Sequence, residues 1–235
     1  ISAGPMDLAQ KLLEDGDKLQ AAVIFSSSSV ESKQQSGDVK EKNRMQAMLG
    51  MESELLSVAE HRGVRLTILR PTLIYGCGLD ANISRLAKWI QRFGFMPVNG
   101  QGRGLRQPVH AEDLAEAAIA ALQCRPSSPP ILSLPGGETL SYSTMVSRIF
   151  EALELPVRLI RLPEWLFVSL LRAANVFQMG RGLNVEMIKR QNRDLVFDDS
   201  DARELLDFRP RAFRPAKTDF ALPDICRDDI PTSEN

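Results

Sequence analysis

Apolar positions along the chain come in two alternating kinds of run. The first kind is short and nearly unbroken: Ala21-Ala-Val-Ile-Phe25, the stretch holding Leu66, Ile68 and Leu69, and Ile131-Leu-Ser-Leu134. Runs of that length, bounded by serine, glycine or proline, predict strands covered on both faces. The second kind is spaced at three and four residues. Leu8, Leu12 and Leu13 follow Gly4-Pro5 and end at Gly16, and Met48, Met51, Leu55 and Val58 fall within 45–62 and stop at Gly63. Ile83, Leu86, Trp89 and Ile90 mark a third helix over 82–95, and 112–123 is a fourth, rich in alanine, with Glu112 and Asp113 in its first turn. Proline at a first turn, acid near the N-terminus and glycine as C-cap all fit helices there. The polar segment 31–43 between the first two strands and their helix predicts a solvated loop.

Further along, 126–130 is a proline-containing linker, and 139–153 holds a helix that Ser141 or Ser143 can cap. Residues 155–162 look extended, 165–174 form a strongly apolar helix, and 200–206 are helical. From about residue 223 the proline-containing acidic tail is expected to be loose. Strand and helix alternate through the first 125 residues, which predicts a parallel sheet with crossover helices, followed by a smaller, mostly helical lobe. The fold class is therefore α/β. The expected division is a sheet-bearing core over 1–135, a smaller lobe over 136–222 and the tail over 223–235.

The strand at 64–69 organises the rest. It ends at Pro71 and runs into an aromatic-glycine turn, Thr72-Leu-Ile-Tyr-Gly76. In an open parallel sheet, ligands bind just beyond the carboxyl ends of the strands, so 70–76 should line a site. Composition narrows the chemistry mainly by exclusion. A net charge of −1 and a pI near 6.2 lack the basic face of a nucleic-acid binder. Cys77, Cys124 and Cys226 are odd in number and widely spaced, which fits free thiols in the cytoplasm. His61 and His110 are the only histidines, and neither stands at metal-ligand spacing from a cysteine, so no metal site is expected. No signal peptide is visible, and the most apolar window, 163–177, is interrupted by Arg172 and too short to span a bilayer, so no membrane partner is expected. The glycine-rich turn 99–104 has no Gly-Lys-Ser/Thr and is not a phosphate loop.

Four segments carry a family resemblance: Val23-Ile-Phe-Ser-Ser-Ser28, Leu69-Arg-Pro-Thr-Leu-Ile-Tyr-Gly76, Leu105-Arg-Gln-Pro-Val-His-Ala-Glu-Asp-Leu-Ala115, and Phe197-Asp-Asp-Ser-Asp-Ala-Arg-Glu-Leu-Leu-Asp-Phe-Arg-Pro210. In this order and spacing they resemble the extended short-chain dehydrogenase/reductases, specifically the NAD-dependent epimerase/dehydratase family acting on nucleotide sugars and related substrates. The resemblance implies that 1–135 is a Rossmann-like core, to whose substrate cleft 78–108 contributes, and that 136–222 is a substrate-binding lobe. It also implies NAD or NADP as cofactor, a small-molecule substrate such as a nucleotide sugar, and the option of a homodimer. It places Ala3, Gly4, Ser26, Ser27, Pro71, Leu73 and Ile74 against the cofactor, and Ser28 at the catalytic serine. It places Asn82, Arg106 and Arg193 against substrate, the arginines on phosphate, for which a planar fork of donors is suited. His110 and Asp113 match a Val-His-x-x-Asp stretch and are read as structural. Without the resemblance, the serines would be a turn bonding its own backbone, Asn82 a helix N-cap and Arg106 a surface charge.

Two departures from the family accompany the match. The glycine-rich fingerprint that cradles a pyrophosphate is not among these residues, and the chain is expected to start at the family's fourth strand, leaving the first three outside it. The Tyr-x-x-x-Lys pair is also not found. Aligning the family's following glutamate on Glu54 puts Gln46 and Gly50 at the pair; aligning it on Glu52 puts Arg44 and Met48 there. Neither set provides a lowered-pKa phenol beside a cation. Tyr75, after the cofactor loop, is the substitute acid/base to test, and a non-catalytic Rossmann-fold scaffold or cofactor sensor that binds a protein partner is the rival reading.

Overall fold

The computed structural model describes residues 1–16, 18–34, 36–124, 130–176 and 185–221, with the side chains of 172–176 left aside. The expected linker at 126–129 and the tail from 223 lie outside the described residues. In chain order the elements are α1 (Met6–Asp15), β1 (Ala21–Phe25), α2 (Ser29–Ser32), α3 (Val39–His61), β2 (Arg65–Pro71) and β3 (Ile74–Tyr75). There follow α4 (Ile83–Phe93), β4 (Met96–Asn99), β5 (Leu105–Arg106), β6 (Val109–His110), α5 (Ala111–Gln123), β7 (Ile131–Leu134) and β8 (Leu140–Ser141). The last are α6 (Tyr142–Ala152), β9 (Leu159–Leu162), α7 (Glu164–Val176), α8 (Val185–Arg190) and α9 (Ser200–Leu206).

The central sheet is parallel, in the order β1-β2-β7, with Ile24 opposite Ile68 and Leu69 opposite Leu132. Ser2 extends it by one bridge beyond β1, its N–H donating to the Val23 carbonyl and its own carbonyl accepting from the Phe25 N–H. Helices cover both faces. Successive residues of a strand point to opposite sides, so Leu66 and Ile68 pack with Leu13, Leu55 and Ala59 of α1 and α3, while Leu69 packs with Leu114, Ala117 and Leu206 of α5 and α9. This is the α/β, Rossmann-like arrangement expected from the alternating pattern.

A third core, holding Tyr75, Ile83, Ile90, Val98, Met145, Ile149, Phe150 and Phe213, joins α4 and α6 to the small pairs β4–β9 and β5–β8. Its boundaries follow local signals. Ser141 Oγ accepts from the Thr144 N–H and caps α6, and Gly94, at φ 70°, ends α4.

The segment 31–43 corrects an expectation. It is not a loop throughout: α3 starts at Val39, with Asp38 accepting from the N–H groups of Lys40 and Glu41. The first turns of α3 bury nothing before Met45, so their hydrophobic pattern is silent and only the aspartate cap marks the start. Cys77 and Cys124 are not disulfide-bonded, and Cys226 lies outside the described residues.

Candidate active site

The carboxyl end of the sheet is where the predicted residues converge. Beyond β1 the ladder continues irregularly: the Ser26 N–H donates to the Leu69 carbonyl at 2.8 Å, and the Ser28 N–H to the Pro71 carbonyl at 3.0 Å. Ser28 is buried at 6% exposure. Ser27 Oγ accepts from the Ser29 N–H, so this hydroxyl serves its own turn, as a serine-rich turn would by itself. Ser26 differs. Its Oγ is buried and has no hydrogen-bond partner among the described residues. A buried hydroxyl without a partner is costly, by about 1–3 kcal/mol, and uncommon in folded proteins. Ala3 and Gly4 follow the Ser2 bridge at this same end, exposed, with open space over Gly4.

The turn after β2 ties this end to the smaller lobe. The Thr72 N–H donates to the Leu134 carbonyl and its Oγ1 to the Gln107 carbonyl, while the Val109 N–H donates to the Leu73 carbonyl. Leu73 packs on the third core and Ile74 on the α5 side of the sheet, so the turn is pinned from both directions. Gly136 completes the junction. Its N–H donates to the Gln107 carbonyl, and a Cβ there would lie 1.7 Å from the Pro108 oxygen, so the backbones meet at a distance only glycine permits. Ser28, Pro71 and the chain at 106–107 are thus joined through successive hydrogen bonds around one set of strand ends.

Arg106 lies at the far side of this junction, and it is not a surface charge. It is buried at 4% exposure and donates to the carbonyls of Leu105, Arg193 and Arg190. Its guanidinium sits 5.7 Å from the Tyr142 ring centroid. Burial lowers its pKa to about 10, the nearby Tyr142 opposing and Arg190 adding to the shift. No ion-pair partner for it appears among the described residues. Arg193 meets Arg106 through its backbone carbonyl, with its side chain exposed. Asn82 stands apart: it is exposed, makes no side-chain capping bond, and leaves the start of α4 to Asp80, which accepts from the N–H groups of Asn82 and Ser84. Asn82 therefore holds the N-cap position, as its place in the sequence suggests, but does not cap through its side chain.

The sequence compared with known proteins decides the family. Residues 8–131, more than half of the chain, match the model of the NAD dependent epimerase/dehydratase family. The chain belongs to that family. It is 22% identical over 159 residues to a UDP-glucose 4-epimerase of Vibrio cholerae, covering 68% of this chain and 46% of that protein. Its fold is similar to the UDP-glucuronic acid 4-epimerase of Bacillus cereus solved with NAD, at a TM-score of 0.62 and 17% identity, covering 91% of this chain and 62% of that one. A UDP-glucose 4-epimerase from Thermotoga maritima, solved with UDP-glucose, superposes equally well, at 0.62 and 14% identity over 94% of this chain and 74% of that one. The chain thus spans about half the length of the curated relative and under two thirds of the Bacillus enzyme.

Arg70 Nε and Nη2 both donate to the Glu52 carboxylate, while Glu54 is exposed and accepts from Gln10. Glu52 is 2% exposed. The glutamate facing the Arg70-Pro71 strand end is Glu52; of the two registers, the one set on it would put Arg44 and Met48 at the pair. Glu31 adds a third contact to Arg70 at 2.6 Å. The Glu52 hydrogen bonds, then the charges of both carboxylates, raise the pKa of Arg70 against the opposing pull of burial.

Tyr75, the substitute to test, is buried at 1% with its ring edge-on to His110 and Phe213. Burial first, and Asp219 second, push its phenol up to about 12. A base near neutrality needs the opposite shift, so Tyr75 is a core residue. His110 is likewise structural: its Nδ1 accepts from the Glu112 N–H at the start of α5, and Gly76, at φ 116°, leaves the space its ring fills. Asp113 accepts from the N–H and Nε of Arg211 and ties α5 to the chain after α9. Sequence reasoning missed Glu31 and Gly136, and left Glu52 and Glu54 as alternatives. Pro135-Gly-Gly after a short strand is a turn signal that could have drawn attention to Gly136; nothing local marks the glutamates.

Proposed function

We propose that this chain supplies the nicotinamide end of an NAD or NADP site and the substrate lobe of a protein that binds a nucleotide sugar, without the family's usual tyrosine and lysine. The observation that carries the reading is the buried, unpartnered hydroxyl of Ser26, set beside Ser28 and Pro71 at the strand ends. A ring carboxamide or ribose there would give that hydroxyl the partner it lacks, so the residues present fit the cofactor.

When bound, the nicotinamide accepts or returns a hydride. The chain's own groups do the rest. Pro71, Leu73 and Ile74 form a wall pinned to two cores, which keeps water from one side of the ring. The Ser28 hydroxyl can donate or accept, and so can hold a substrate oxygen in either its alcohol or its carbonyl form. Arg106 brings an uncompensated positive charge to the lobe side, suited to a diphosphate.

Proton transfer is the weak point. Neither Arg44 and Met48 nor Gln46 and Gly50 supply a phenol beside a cation, while Tyr75 is withdrawn into the core. That absence favours the second reading, a cofactor-binding sensor or scaffold whose sheet is retained and whose chemistry is lost. Titration of the full-length protein with NADH and NADPH, read by cofactor fluorescence, separates the cases. Binding weakened in Ser26→Ala and Ser28→Ala supports the site. Turnover of a UDP-sugar that disappears in Ser28→Ala makes it an enzyme, and binding without turnover makes it a sensor. A protein that binds neither nucleotide refutes the reading and leaves the scaffold.

A further inference from the structure

Helix α7 has the wrong outer surface for water. A helix on a soluble lobe ordinarily shows polar residues outward. From Glu164 to Leu171 the only polar residues are Glu164 and Ser169. Leu171 faces inward at 6% exposure, yet Trp165 is 71% exposed and Leu170 52%, with Leu166 half-buried between them on the same arc. The outer face is therefore as apolar as the inner one. The strand that leads into it, β9, pairs with β4 along one side and exposes Ile160, with Val157 just before it.

Charge indicates what covers this face. Arg158 and Arg161 flank Ile160, both are exposed, and neither has an ion-pair partner among the described residues. Between 158 and 190 the sequence carries six arginines and lysines against two glutamates, in a chain whose net charge is −1. Of the two acids, Glu164 is engaged by Asn99 Nδ2 and Glu186 by Lys189. The other helix with exposed leucines, α1, contrasts with this one: Leu8 and Leu12 stand among Asp7, Glu14 and Asp15.

We propose that α7 and the end of β9 dock this lobe on an anionic lipid bilayer, Trp165, Leu166 and Leu170 entering the headgroup boundary while Arg158 and Arg161 meet the lipid phosphates. Exposed tryptophan beside arginine is the composition of interfacial helices. Among the described residues no helix is long and apolar enough to cross a membrane, so α7 lies on the surface. The sequence expectation was of no membrane partner, argued from the want of a spanning segment, and a helix lying flat on a bilayer departs from it. A second copy is the poorer occupant, because a twofold contact through this face would oppose Arg158 and Arg161 to their own copies.

The test is co-sedimentation of the full-length protein with phosphatidylcholine vesicles, with and without phosphatidylglycerol. Binding is expected only with the anionic lipid, and Arg158→Gln or Arg161→Gln should weaken it about fivefold each. Trp165→Ser with Leu170→Ser should weaken it by at least about tenfold while leaving thermal unfolding unchanged, since both side chains are already exposed. In a Trp89→Phe background Trp165 is the sole tryptophan, and its emission should shift to the blue on binding. Absence of binding, binding indifferent to these substitutions, or a dimer that Trp165→Ser dissociates and that ignores vesicles would overturn the proposal.

Discussion

Two arginines are buried at the strand ends, and they are held in opposite ways. Arg70 lies among carboxylates: Glu52 grips it with both oxygens and Glu31 adds a third contact, which raises its pKa. Arg106 is more deeply buried and meets only carbonyl oxygens and the face of the Tyr142 ring, and burial lowers its pKa to about 10. One charge is balanced by carboxylates inside the scaffold; the other has no carboxylate paired with it among the described residues. An arginine fixed by carboxylates holds elements together, here α2, α3 and β2. An arginine fixed by carbonyls keeps its positive charge and is improved by any anion that reaches it.

The largest expected effect tests the first half of that contrast. Arg70→Met should destabilise the fold by about 3–5 kcal/mol in denaturant unfolding, because the buried Glu52 carboxyl would be left without its partner. Adding Glu52→Leu should recover most of the loss, a coupling that a double-mutant cycle reads directly. Recovery that fails to appear would mean the pair is not the source of the stability.

Arg106→Met should cost less, about 1–3 kcal/mol, from carbonyls left without a donor. It has no carboxylate to strand. Its larger effect should be on ligands: UDP at about a hundred times its dissociation constant should stabilise the wild type by about 2.7 kcal/mol, seen as a higher Tm, and Arg106→Met should abolish that rise. A rise that survives the substitution would show that Arg106 is as closed as Arg70.

A third, smaller effect concerns acid. Glu41 joins α3 to α8 through Arg190 at 2.6 Å, with Lys33 at 3.2 Å and Ser36 donating to the same carboxylate. Burial alone would raise its pKa, but the hydrogen bonds from Arg190 and Ser36 and the two positive charges outweigh it and hold the group at about 2 instead of 4.5. A depressed carboxyl pKa means stabilisation that is present above pH 4.5 and lost as pH falls toward 2. The Tm gap between wild type and Glu41→Gln should therefore narrow over that window. A gap that stays constant would place the contribution elsewhere than in the ionised carboxylate.

The smallest effect is at the cofactor end. Ser26→Ala removes a hydroxyl with no partner, so the unliganded protein should be unchanged or stabilised by up to about 1 kcal/mol, while NADH binding weakens. A clear loss of stability without ligand would show that the hydroxyl already has a role in the fold.

Much of this arrangement was readable in advance, and the limits have a physical cause. The strands at 21–25 and 65–71 and the helix at 83–93 are packed, so burial imposed a period that survives in the sequence. The start of α3 was missed because its first turns face solvent and bury nothing until Met45. Ser26, Ser28 and Pro71 were readable through their motifs. The partner of Arg70 was not, since Glu52 and Glu54 are both on one helix and two residues apart; only the packed helix turns Glu52 inward and sends Glu54 out to Gln10. The same holds for Glu41 and Arg190, which lie 149 residues apart in sequence.

The sequence by itself determined the alternation of strand and helix, the serine and proline strand ends, and the family, because each depends on neighbours along the chain. Tertiary structure decided which glutamate is buried, which arginine keeps its charge, and which serine is left without a partner. Those are properties of burial and of through-space pairing, and a linear pattern holds no record of distance.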